Sequence, residues 1–247
     1  MNEVIIENSI EFISFIVTYE MPFDPYICEN LLGLKDVLSK DFPVFNKSNS
    51  LEIQFDNEQS VTQKKINGIL MQKMNDDGSP AWKLHAEGSH VIISCFQYTK
   101  WDIESKKALK TLSTVMKAIG DSPIKAVALK TVDKFHNKPN AAKDIFHKKS
   151  TFLPGHIFKT GELWHVHQGW FADESDLTLL NMLNISTAKT KTGRDISTTI
   201  DHSVQAISPI SHDSEVDMIP VYNALHKSNK DTIRKLLKKS VLDRIGL

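Results

Sequence analysis

Two cysteines, Cys28 and Cys95, are all that the 247 residues contain. Both sit inside apolar patterns, which excludes a disulfide scaffold and leads us to expect reduced, buried thiols. Arginine is nearly as scarce. Arg194, Arg234 and Arg244 are the three among thirty basic residues. That leaves few guanidinium forks for bidentate recognition of phosphates or guanines. The lysine excess, with abundant Asn and Ile, points to an AT-rich bacterial genome. The ten glycines are scattered, and no Gly-x-Gly-x-x-Gly, Walker loop or Gly-x-Ser-x-Gly elbow occurs. Cys-x-x-Cys and His-Glu-x-x-His are also missing. No apolar run approaches the roughly 18 residues of a membrane span. The opening MNEVIIENSI has acids where a signal peptide has bases. The cytoplasm is the expected compartment.

What is present is an ordinary globular balance, 40% hydrophobic and 24% charged, enough apolar content for a core. Thirty acidic residues cancel the thirty basic ones, but not evenly. Residues 1–60 hold eleven acids against three bases, net −8. Residues 100–149 hold twelve lysines against five acids, net +7, and residues 227–247 carry net +5. Such blocks steer partners rather than dictate a fold. Two readings follow: opposite solvated faces of one domain, or a basic face able to meet an acidic partner.

Periodicity supplies the elements. Ser9–Glu20 alternates as a strand with one slip of phase. Ile27, Leu31, Leu34 and Leu38 make a helical stripe over Tyr26–Lys40, with Asp24 as its cap and Pro25 at its first position. Leu51, Ile53 and Phe55 alternate with polar residues as a half-exposed strand. Residues 60–98 read as an antiparallel meander with turns at Asp77–Gly78 and Glu87–Gly88. Ile103–Ile119 is a helix that Asp102 would cap and Gly120 would stop. Leu109, Leu112 and Met116 face inward, and Lys106, Lys107, Lys110 and Lys117 face water. Ile124–Phe135 is a strand, and 138–149 holds a short helix. Residues 155–208 are β-rich, with a hairpin turn at Thr192–Gly193. A single long helix over Val216–Ser240 closes the chain.

The expected class is α+β: a large curved antiparallel sheet with long helices packed on one face. No linker divides the chain, so residues 1–247 read as one domain. The order strand, helix, strand recurs at 9–56 and 90–135, which suggests pseudo-duplicated halves, 1–89 and 90–247.

Several segments together resemble a known group. They are SIEFISFIVTYE, YTKW at Tyr98–Trp101, IKAVALKTVDKF, DISTTID at Asp195–Asp201, and the closing helix with Leu225–His226. The chain is similar to a sporadically distributed family of uncharacterised bacterial proteins of about this length. Where that family has arginine–tyrosine–x–asparagine, this chain has Lys130, Thr131, Val132 and Asp133. The family's closing phenylalanine-containing stretch is matched only loosely, by TIRKLL. The resemblance carries over no activity. Its patchy distribution is that of mobile defence or toxin–antitoxin cargo.

The sharpest chemical cluster is WHVHQGW. On a strand His165 and His167 project from one face, and two imidazoles are half of a zinc site. No further ligands are visible, so no metal and no cofactor are expected. Two sheet histidines beside packed tryptophans are the plainer reading, with a polar binding groove as the other. Tyr98 and Trp101 read as core anchors. Lys125, Lys130, Lys134, Lys138, Lys143, Lys148 and Lys149 form the densest basic stretch.

The expected function is non-enzymatic binding of a protein partner, encoded in the same operon, within a bacterial defence or toxin–antitoxin-like system. The candidate surface is Trp164, His165, His167 and Trp170 with Lys143, Lys148 and Lys149. One alternative is an enzyme or small-ligand protein with a cavity between sheet and helices, lined by His165 and His167. Another is a non-specific nucleic-acid binder.

Overall fold

The computed structural model describes residues 9–56, 59–137, 141–159, 161–174, 176–189, 196–207 and 217–247. In chain order the elements are β1 (Ile10–Tyr19), α1 (Pro25–Leu38), β2 (Val44–Asp56), β3 (Gln59–Met74), β4 (Pro80–Glu87) and β5 (His90–Cys95). Then come α2 (Trp101–Ile119), β6 (Ile124–Asn137), α3 (Ala141–Ile145) and a 3-10 turn at Gly155–Phe158. The last five are β7 (His165–Glu174), β8 (Leu177–Lys189), β9 (Ile196–Ala206), α4 (Ile219–Leu236) and α5 (Lys239–Ile245). The class is α+β. Among the described residues nine antiparallel strands lie in the order β2-β3-β4-β5-β1-β6-β9-β8-β7. Among the described residues no helix is long and apolar enough to cross a membrane.

β1, although first in sequence, runs beside β5 and β6. Its end is fixed by Tyr19 N–H to the Ser89 carbonyl at 2.8 Å and Glu20 N–H to the Pro123 carbonyl at 2.9 Å. Near its start Lys134 N–H reaches the Ser9 carbonyl at 2.8 Å. As β1 advances, its partners on β6 recede, which is antiparallel pairing.

The chain packs as two compact units, one of residues 14–127 and 209–218, the other of residues 1–13, 128–208 and 219–247. In the first, the β3–β5 meander stacks buried rows, Met71–Leu84–Ile93 and Ile69–Ala86–Val91. The tight turns behave as expected: Gly78 has φ +80° and Gly88 φ +64°, backbone that favours glycine. Gly68 is needed for another reason, since a Cβ there would lie 2.0 Å from the Ala86 carbonyl oxygen. α1 packs on α2 and β3, and α2 packs on β5. Asp24 caps α1, accepting from Ile27 N–H at 2.7 Å.

Four local expectations are corrected. α2 starts at Trp101 with Lys100 as its cap residue, not with Asp102. Here Thr99 Oγ1 donates to Glu104 at 2.7 Å and ties the chain to the first turn. The inward stripe runs through Ala108, Thr111, Leu112, Val115, Met116 and Ile119, while Leu109 is only half-buried. Lys107 does not simply face water, because its ammonium lies 4.5 Å over the Trp82 ring. Burial pulls its pKa below the usual lysine value, with Lys73 adding to the effect.

The fourth correction concerns the ends of the second unit. Gly155–Phe158 forms a 3-10 turn, and the strand starts only at His165. The closing helix is not one piece. After Leu236 the chain leaves the helix so that Leu237 makes a β-bridge with Phe146. His147 N–H then bonds the Leu236 carbonyl at 3.0 Å, and Lys238 N–H the Ile145 carbonyl at 2.9 Å. A strand-like bridge cannot be made by helical backbone, hence the break and the separate α5. In this unit α4 packs on β9, and Ile145, Phe146, Leu183, Ile185, Ile200, Ile233 and Leu236 form the core. The side chains of Leu51, Ile53 and Phe55, and the turn at Thr192–Gly193, lie outside the described residues.

Candidate functional site

The candidate site is built on β7, β8 and β9. Their registers are continuous: His167 opposes Asn184, which opposes Asp201, and Trp170 opposes Asn181, which opposes Val204. Strand alternation therefore sorts the WHVHQGW residues onto two faces. His165, His167, Gly169, Phe171 and Asp173 are exposed, on the outer face. Val166, Gln168 and Trp170 alternate with them on the inner face, half-buried. Trp164, just ahead of the strand, packs edge-on against Phe146 with ring centroids 5.8 Å apart. Trp170 meets Phe152 at 4.8 Å and stacks on His202 at 5.9 Å. The structure thus brings the two histidines together and sends both tryptophans into the core layer behind them.

On the outer face both imidazoles turn to one acceptor. His165 Nε2 donates to Asn184 Oδ1 at 2.7 Å and His167 Nδ1 donates to the same oxygen at 3.2 Å. A carbonyl oxygen can only accept, so Nε2 of His165 and Nδ1 of His167 each carry a proton. The row continues across the sheet through Asp201, which pairs with Lys130 at 2.8 Å. Beside it stand half-buried Met182 and Leu180, the latter opposite Phe171, which is 68% exposed. Among the described residues no three His, Cys, Asp or Glu side chains are grouped for a metal ion.

The basic stretch divides. Lys130 is held by Asp201, and Lys134 pairs with Glu11 at 3.1 Å. Lys143, on α3, and Lys148 and Lys149, in the turn after it, are exposed. That turn is shaped by Lys149 N–H donating to His147 Nδ1 at 3.2 Å. Lys138 lies outside the described residues. On α4, Lys227 pairs with Glu174 at 2.7 Å, so part of the closing positive block is neutralised locally. Trp101 stacks on Phe15 at 5.6 Å, as a core anchor would.

Two polar clusters escaped the sequence reading. In the first unit, Glu87 accepts from Asn67 at 2.8 Å and contacts His85 Nε2 at 2.6 Å. Burial raises the Glu87 pKa, but bonds from Asn67, His85 and Ser48 outweigh it and hold the carboxyl below its ordinary value. In the second, Asn229 Nδ2 donates to Thr131 Oγ1 at 2.8 Å and to His202 Nδ1 at 2.9 Å, all buried. Ser228 Oγ donates to Asn181 Oδ1 at 3.0 Å. Asp133 is buried with Ser9 Oγ donating to it at 2.7 Å. Burial pushes its carboxyl up to about 6, against the lowering effect of Ser9. The signal for the His202 cluster was present: Ile196, Ile200, Val204 and Ala206 mark an inward period of two, and Thr198 and His202 sit in the same phase.

No family model and no curated protein matches the chain.

Proposed function

We propose that the protein acts by binding, and that it meets a protein partner through the outer face of β7–β9. The observation that carries this reading is the exposed Phe171, set beside Leu180 and Met182 and next to the fixed polar row His165, His167, Asn184 and Asp201. An aromatic anchor flanked by oriented polar groups is what a protein interface uses for affinity and register. Trp164 and Trp170 act from behind, as rigid packing under the strand. Lys143, Lys148 and Lys149 supply positive charge that steers an acidic partner. A cytoplasmic setting is part of the proposal. The resemblance of the sequence to a patchily distributed bacterial family supports a partner encoded alongside in a defence or toxin–antitoxin-like system. The curved sheet, the helices on one face and the two related strand–helix–strand halves belong to the same proposal.

The test is affinity capture from host cells with the wild-type chain and Phe171→Ser in parallel. A partner that the wild type retains in stoichiometric amount and Phe171→Ser loses supports the outer face. A partner held equally by both overturns it. Capture of nucleic acid with a steep loss on added salt, and with no effect of Phe171→Ser, favours a backbone-binding role instead.

A further inference from the structure

The inner face behind β7 carries a feature that the outer-face reading does not use. His202 and Asn181 are both fully buried. Burial drives the His202 pKa down to about 3, so the ring is neutral. Its Nδ1 accepts from Asn229, which places the ring proton on Nε2. That Nε2–H has no partner among the described residues. Asn181 is in the same position: Oδ1 is taken by Ser228, and its Nδ2 has no partner among the described residues.

These two donors are neighbours by register. Asn181 opposes Val204, two residues along β9 from His202, so both side chains share one face. Diagonal positions of this kind lie about 7–8 Å apart at Cα, within reach of one small molecule. Consecutive residues of α4, Ser228 and Asn229, hold the far ends of both side chains. Trp170 opposes Asn181 and stacks on the His202 ring at 14°. Two buried N–H donors on one face of the sheet and an aromatic ring therefore lie in the same seam. An apolar guest would leave the donors unpaired, which buried groups do not tolerate. A carboxylate would lack a counter-charge from Lys227, which directly precedes Ser228 on α4 but is exposed and already paired with Glu174.

We propose that the seam between α4 and β7–β9 is a binding site for a neutral oxygen acceptor, held by His202 Nε2–H and Asn181 Nδ2–H and flanked by Trp170. The oxygen comes either from one internal water or from the carbonyl of a small uncharged molecule such as an amide. Proteins retain internal waters at such polar spots, typically with two to four partners each.

Nitrogen-15-labelled full-length protein tests the proposal by side-chain NMR of His202, Asn181 and the Trp170 indole, with water and added acetamide as the probes. A slowly exchanging His202 Nε2–H that cross-relaxes with a long-lived water, unmoved by acetamide, supports the site with water as occupant. Saturable acetamide shifts at His202, Asn181 and Trp170, weakened about tenfold or more in Asn181→Leu, support the site with a carbonyl ligand. An Nε2–H with the shift of a ring making no hydrogen bond, no water contact and no response to acetamide overturns the proposal. The wild-type measurement stands even if Asn181→Leu fails to fold.

Discussion

On β3, β4 and β5 the fully buried rows are Ile69–Ala86–Val91 and Met71–Leu84–Ile93, apolar throughout. On β8 and β9 the equally buried positions include Asn181, Thr198 and His202 among Leu183, Ile185, Ile200 and Val204. Both layers obey the same period of two, and both lie under a helix. The first is held by apolar area and shape, so apolar swaps that conserve volume should cost it little. The second depends on particular bonds from Asn229 and Ser228, so it punishes any change that strands a polar atom. Buried polar groups with unfilled bonding capacity work against stability. Among the described residues, β3 holds one such atom, Asn67 Oδ1, whereas β8 and β9 hold three, Asn181 Nδ2, Thr198 Oγ1 and His202 Nε2, and the larger group marks where this protein retains chemistry inside its fold.

The widest gap between the two layers should show in truncation. Leu112, fully buried on α2, is expected to lose about 2–5 kcal/mol as Leu112→Ala. Urea midpoints measure it, and the loss should be the same at every pH from 5 to 8. An unchanged midpoint would mean that the inward face of α2 is misassigned.

Asp133 sharpens the contrast through pH. Its folded pKa, about 6, stands above the ordinary carboxylate value near 3.9. The folded state therefore keeps a proton that the unfolded state has released. This contribution is fully present below about pH 4 and is lost as pH rises through 6. Asp133→Asn should close with the wild type below pH 4. Above pH 6 it should be more stable, by up to about 3 kcal/mol at 1.36 kcal/mol per unit. His202 pulls the other way: its folded pKa near 3 lies below the unfolded value, so its contribution is lost as pH falls from about 6.5 toward 3. A wild-type profile without opposing limbs, and identical in Asp133→Asn, would contradict the buried placement of both groups.

Asn229→Ala should cost about 1–3 kcal/mol by leaving His202 Nδ1 and Thr131 without their donor. Unlike Leu112→Ala, its cost should shrink toward low pH, because a relaxed seam makes protonation of His202 easier. Matched urea titrations of the two variants at pH 5 and 7 would separate the layers. Parallel behaviour would erase the distinction.

Much of the architecture was legible because it rests on local rules. Asp24 before Pro25, glycine at 78 and 88, and alternation in Ser9–Glu20 each act through neighbouring residues, and the observed elements follow them closely. What the sequence could not show depends on contacts far along the chain. The break after Leu236 exists because Phe146 bridges Leu237, a pairing that helical periodicity does not encode. The first turn of α2 is tied by Thr99 to Glu104, which displaces Asp102 as the expected cap. The site was half legible for the same reason. Alternation correctly put His165 and His167 on one face, but the acceptor that unites them, Asn184, comes from another strand. Likewise nothing in the basic stretch distinguishes Lys130 and Lys134, which are paired across strands, from Lys143, Lys148 and Lys149, which are exposed.

The smallest expected effect on stability belongs to those three lysines, and it bears on the outer layer rather than either core. Lys143→Glu, Lys148→Glu and Lys149→Glu together should shift the unfolding free energy by less than about 1 kcal/mol. The side chains are exposed, and only Lys143 sits in the last turn of a short helix, where positive charge is mildly favoured. Their effect should appear in association instead. A basic patch speeds the encounter with an acidic partner over a range set by screening, about 10 Å at 0.1 M salt and about 3 Å at 1 M. The triple reversal should therefore slow association at low salt and matter little at high salt, while dissociation stays near the wild-type rate. Phe171→Ser should do the reverse, raising the dissociation rate at any salt, because an aromatic anchor acts after contact is made. Stopped-flow association and dissociation of the captured partner, at two salt concentrations, distinguish the two roles. If the reversal leaves association at low salt unchanged, the lysines are solvated surface, and the binding reading rests on the β7–β9 face alone.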